Sequence, residues 1–171
     1  MVSQIILVPI GSVEVGTLVH LNTTLEEAFN CKCLIGTAVP VLTVAFNPSL
    51  KQYSGHRILA ELPVLESGHV LGVVDLDLYA PGLNFIFGLA DYRTKRAVIA
   101  LPRLRQSFYG SRDDRELFLS RAAKEAVHEL GHLYGLDHCQ DRRCVMAFSN
   151  SLADTDYKKQ DFCPRCAKKL Q

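Results

Sequence analysis

Residues 128–146 read HELGHLYGLDHCQDRRCVM. Upstream and into this stretch, Leu119, Ala122, Ala123, Ala126, Val127, Leu130, Leu133 and Tyr134 recur at the helical period, so one stripe of a helix is apolar and faces a core. Asp113 with Glu116 three residues later marks its start in capping-box fashion, and Gly135, free to take positive φ, marks its end. At about 100° per residue, His128 and His132 fall opposite the centre of that stripe and therefore outside the core packing. Being four apart, their imidazoles stand one above the other and can meet one ion without bending the backbone. Glu129 is turned from them by about 100°, which lets its carboxylate lean over an ion instead of ligating it. Gly135 then swings the chain back so that His138 becomes a third ligand. Three neutral imidazoles leave a fourth position for water, as a catalytic zinc requires.

The cysteines form a second set. Cys139 and Cys144 make a C-x4-C pair, Cys163 and Cys166 a C-x2-C pair, and eighteen residues separate the two. This is the form of a four-thiolate structural zinc site, with Pro164 shaping the knuckle; two disulfides or free buried thiols are the competing reading. Cys139 follows His138 directly, so a folded thiolate site would also fix the segment that delivers the third histidine. Cys31 and Cys33 lack a second pair and read as ordinary strand or loop residues, as His20, His56 and His69 read as structural or solvated histidines.

HELGHLYGLDH followed by Met146 resembles the metzincin motif HExxHxxGxxH with its downstream Met-turn. With Cys139, Cys144, Cys163 and Cys166 included, the segment from His128 to Cys166 resembles the archaemetzincin family in particular. The sixteen residues between Met146 and Cys163 are about one fewer than the family's pattern, a difference a loop absorbs. The resemblance implies a compact single α/β (α+β) domain, with a mixed, mostly parallel twisted sheet above the zinc helix. It also implies one catalytic and one structural zinc per chain. Met146 would then be the apolar floor beneath the imidazoles. Phe148 stands where some metzincin relatives carry a tyrosine that approaches the metal, which leaves Tyr134 or another group to stabilise an oxyanion. The chemistry expected is peptide hydrolysis, with Glu129 taking a proton from water and passing it to the leaving amine.

The rest of the chain fits one such unit. Its 171 residues suffice for one buried core, with 1–112 supplying the sheet and 113–171 the active-site helix, Met-turn and knuckle. Apolar strand patterns at Gln4–Val8, Val39–Phe46, His69–Leu78, Asn84–Leu89 and Ala97–Leu101 alternate with helical ones. Pro9 closes the first strand, Ser12 caps a helix running to Phe29, and a short helix lies near Arg57–Leu62. The run Asn84–Leu89 is either a paired interior strand or a sheet edge to which an extended peptide adds. Nineteen basic against eighteen acidic residues give no field that would draw nucleic acid, and no apolar run reaches membrane-spanning length. The N-terminus lacks a signal-peptide pattern, so the expected setting is a cytoplasmic monomer acting on a peptide or protein substrate. Two other functions share the ligand sets: a catalytically silent zinc protein, and a nucleic-acid-binding knuckle using the basic residues of 139–171. The interspersed acids and few aromatics of that tail disfavour the knuckle.

Overall fold

The computed structural model describes residues 4–170. In chain order the elements are β1 (Gln4–Ile10), α1 (Val15–Phe29), β2 (Lys32–Ile35), β3 (Phe46–Asn47), β4 (Gln52–Ser54), α2 (Gly55–Ala60), β5 (His69–Val74) and β6 (Leu78–Ala80). They continue with β7 (Leu83–Ile86), β8 (Gly88–Asp91), β9 (Arg96–Ala100), α3 (Arg115–Leu133), α4 (Leu152–Tyr157) and α5 (Pro164–Lys169). The architecture is α/β with two mixed sheets. The larger runs β2-β1-β5-β9-β8, parallel throughout except for β8 at its edge. The smaller runs β3-β4-β6-β7.

Period-2 alternation sends the large sheet's side chains to two separate cores. Ile5, Leu7, Leu71, Val73, Ala97 and Ile99 face α1 and α3, while Val8, Val70, Val74, Val98 and Ala100 meet α2 and the small sheet. Both faces are covered, which is why β5 and β9 read as unbroken apolar runs instead of alternating ones.

Several elements differ from the sequence expectation, each for a local reason. Strand β1 continues through Pro9 to Ile10. Its neighbour β2 pairs only as far as Ile35, and the Pro9 carbonyl instead accepts from Val39 N at 2.9 Å. The missing N–H therefore falls where no partner strand requires it. Val39–Phe46 is not a strand: Val39 makes a single bridge to Ile10 and Thr43–Ala45 is a 3-10 turn. Helix α1 is capped at Glu14, not Ser12; the Glu14 carboxylate accepts from Thr17 Oγ1 and Arg115. The run 84–89 is cut in two, with β7 edging the small sheet and β8 the large one, and Phe87 between them is buried in the α3-side core.

Helix α3 begins one residue later than the capping pattern suggested. Asp114 Oδ1 accepts from Leu117 N at 3.0 Å, while Asp113 accepts from Ser107 N outside the helix. Its apolar stripe is buried from Ala122 to Leu133, with Leu119 and Tyr134 half-buried, but so is much of the opposite face: Arg121, Glu125, His128 and Glu129 are each no more than 6% exposed. The cover comes from β8 and from α4, which is held by the Arg121–Asp156 pair and by Lys124 donating to the Thr155 and Asp156 carbonyls. His128 is thus a buried polar residue, not a solvated one.

Candidate metal centre and active-site cleft

Arg121, Glu125, His128 and His132 recur at i, i+4, i+7 and i+11 and form one polar stripe along α3. Past its end, Gly135 adopts φ 84° and turns the chain, and His138 returns beside the two helical histidines. One nitrogen from each of His128, His132 and His138 lies within 4.8 Å of the others. His128 Nδ1 donates to the Val145 carbonyl at 2.8 Å and His132 Nδ1 to the Leu136 carbonyl at 2.7 Å. A carbonyl can only accept, so both Nδ1 atoms carry the proton and both Nε2 atoms are bare. Those two bare nitrogens face each other at 3.1 Å. Facing lone pairs at that separation repel unless a cation lies between them, and with the His138 ring beside them the three imidazoles form the donor set zinc takes. Burial lowers the pKa of all three, most strongly that of His128, which keeps them in the neutral, ligating form.

The second cluster forms alongside. Cys139, Cys144, Cys163 and Cys166 bring their sulfurs within 4.8 Å of one another, with Cys139 and Cys163 at 3.8 Å, beyond disulfide bonding distance. Cys163 caps α5 and Pro164 is its first residue. The Cys166 amide donates to the Cys163 sulfur, which is the main reason that its pKa falls to about 7. Arg165 donates to Cys139 Sγ at 3.3 Å. Two backbone bonds tie the clusters together: Cys139 N to the Met146 carbonyl at 2.8 Å, and Val145 N to the Asp161 carbonyl at 3.0 Å. Met146 itself is fully buried and rests on Gly131, where a β-carbon would lie 2.4 Å from its sulfur.

The histidines open into a cleft of about 680 Å³, walled by Phe85, Phe87, Leu89 and Phe148 among others. Glu129 lies in it against the large sheet's edge: a β-carbon on Gly88 would sit 2.5 Å from Glu129 Oε1. Burial pushes the Glu129 carboxyl up to about 8, with the Glu125 carboxylate adding to the rise and Lys158 opposing it. Phe148 stacks edge-on to His138 at 5.1 Å. Tyr134 does not reach the cleft. It packs behind α3, stacked on Phe29 at 4.7 Å with its hydroxyl 3.9 Å from Cys31 Sγ, so it is no oxyanion donor.

Residues 49–171 match the family model described as peptidase family M54. The chain belongs to that family. An archaemetzincin of Methanocaldococcus jannaschii is 44% identical over 172 residues, covering 100% of this chain and 94% of the relative. One from Pyrococcus abyssi is 40% identical over 180 residues, covering 100% and 96%. Among solved structures, archaemetzincin from Archaeoglobus fulgidus superposes with TM-score 0.85 at 40% identity, covering 96% of this chain and 99% of that one. The Methanopyrus kandleri archaemetzincin gives 0.87 at 35% identity, covering 99% and 93%. As a family M54 member the protein is a zinc metallopeptidase, and its substrates are peptides or proteins. No helix of the described residues is long and apolar enough to cross a membrane.

Three site residues had no site role in the sequence reading. Gly88 was read only as part of the Asn84–Leu89 strand run and Lys158 only among the basic residues of 139–171, but Glu125 was within reach, one turn before Glu129 on the polar stripe.

Proposed function

We propose that the protein hydrolyses peptide bonds at the three-histidine centre, with His128, His132 and His138 holding a catalytic zinc. Glu129 is the general base, and Cys139, Cys144, Cys163 and Cys166 hold a second, structural zinc. The observation that carries this reading is the pair of unprotonated Nε2 atoms facing each other at 3.1 Å in the cleft that also holds Glu129. Zinc, when bound, supplies Lewis acidity, polarising the scissile carbonyl and acidifying a water. Glu129 takes one proton from that water as its oxygen attacks, and delivers it to the nitrogen leaving the broken C–N bond. Its setting against Gly88 fixes the carboxylate without making it a ligand. Among the described residues no strand pairs with the outer side of β8, which runs beside the cleft, so an extended substrate can add there as a strand, its main chain aligned by hydrogen bonds.

Glu129→Gln tests the assignment. Peptide turnover, read by mass spectrometry on a pooled library, falls by at least about 100-fold, in line with the loss of a positioned general base. Zinc content stays at that of the parent. Unchanged turnover removes Glu129 as the base; loss of the histidine-held metal makes it a ligand.

A further inference from the structure

Lys158 is the largest fully buried side chain of the described residues, at 1% exposure. Its ammonium lies 3.0 Å from Glu125 Oε1 and donates to the Ala147 carbonyl at 3.4 Å. Thr155, also fully buried, donates to the same Oε1 at 3.3 Å. Both contacts fall on one carboxylate oxygen. No hydrogen bond falls on the other oxygen, Oε2, among the described residues, and Glu125 lines the cleft one helical turn from Glu129. A charged pair taken this far out of water is costly, and apolar residues of similar size commonly serve stability as well or better. An ion pair kept at the wall of the cleft with one acceptor oxygen left over is what recognition of a substrate group would use.

The chemistry of that group follows from the pair. Lys158 already balances the Glu125 charge, so an arriving lysine or arginine side chain would bring a second cation close to the first and would also have to shed its water. An apolar side chain would cover Oε2 without pairing it, which costs the desolvation of a charged acceptor. A neutral donor, an amide or hydroxyl, pairs Oε2 and adds no charge. We propose that Glu125, held by Lys158 and Thr155, is a specificity-determining residue that selects a substrate side chain with a neutral hydrogen-bond donor beside the scissile bond. This rests on the reading of the cleft as the peptidase site.

Glutamine, lysine and methionine are near-isosteric and separate the three cases. Zinc-loaded protein carrying Glu129→Gln is used to capture peptides from a library in which these three residues are permuted through every position, and the bound fraction is sequenced. At one position glutamine is enriched roughly 10- to 100-fold over methionine, the range expected for a hydrogen bond to a charged acceptor, and lysine is not enriched. Adding Glu125→Met and Lys158→Met together, which removes the pair without leaving a buried orphan charge, abolishes that preference. Zinc content and melting temperature show whether this variant is folded, and where it is not, Glu125→Gln with Lys158→Met takes its place. A purely structural role would weaken all peptides alike, leaving the glutamine-to-methionine ratio unchanged, and that result overturns the proposal. A lysine or methionine preference at every position, or no positional preference, overturns it too. The measurement is of binding, so the proposal stands or falls separately from Glu129: parental hydrolysis by Glu129→Gln would sink the base assignment and leave the ratios readable.

Discussion

Replacing Gly88 with alanine places a methyl group 2.5 Å from Glu129 Oε1, 2.6 Å from Cγ and 2.7 Å from Cδ. Non-bonded carbon contacts are comfortable near about 3.5 Å, so the carboxylate has to move by about 1 Å. A misplacement of that size in a catalytic group costs on the order of 100-fold in rate, equivalent to about 2.7 kcal/mol of barrier. The fold has little to lose. Gly88 is not among the glycines at positive φ, and an alanine in a compatible conformation stabilises by about 0.4–1 kcal/mol through the unfolded chain, offsetting the displaced side chain. The expected outcome is a protein that melts within a few degrees of the parent, keeps its zinc content, and turns over pooled peptides about 100-fold more slowly. Parental kcat would refute the claim that β8 positions the base. Loss of metal would show that Gly88 supports the histidines instead.

Chelator titration followed by metal analysis should strip the three-histidine site first, because a closed thiolate site offers no open coordination position; equal loss rates would contradict the assignment of the two sites. Cys139→Ser should weaken metal binding at both clusters, by roughly 10- to 100-fold at the histidines, since Cys139 follows His138 and its amide holds the Met146 carbonyl. Isothermal titration of zinc into the stripped variant reads this directly, and an unchanged histidine site refutes the coupling. His69 is 3% exposed with an unpartnered Nδ1, and burial, aided by the Lys95 charge, lowers its pKa to about 4. The unfolded chain therefore takes up this proton first, so stability is full above about pH 6.5 and falls as pH drops towards 4, by up to about 3 kcal/mol. Denaturant melts of His69→Phe against the parent at pH 7 and pH 4.5 should show a smaller acid loss in the variant; equal losses refute it.

The sequence carried the histidine and cysteine clusters and the helix that presents two of the histidines because these depend on short spacings. Four residues set the His128–His132 geometry, one glycine sets the return of His138, and adjacency sets the link to Cys139. The two sheets were harder to read. Strand β2 has only four residues, and Lys32, Leu34 and Ile35 are exposed at the sheet edge, so it offers no buried pattern, whereas Val39–Phe46 is apolar without being paired. The run 84–89 reads as a single strand because apolar content does not say which sheet a residue joins, and the switch at Phe87 is made by long-range packing. What covers the polar face of α3 was hidden for the same reason: β8 and α4 reach it from other parts of the chain. A buried lysine such as Lys158 is invisible until its partner is known.

The three histidines are unequally held. His128 sits 5% exposed on the most enclosed helix, while His138 is exposed on the short segment after Gly135. Turning the exposed His138 side chain aside leaves Leu136 and Tyr134 packed, whereas His128 is enclosed on α3 and is freed only by a larger opening. On the proposed zinc assignment, departure of the ion therefore begins at His138, and its residence time is set by the exposed pair Asp137 and His138 and not by the stability of the domain. Amide exchange should separate the two regimes, fast at Asp137 and His138 and slow at His128. Changes that stiffen the 134–138 turn should lengthen the metal's stay without raising the melting temperature.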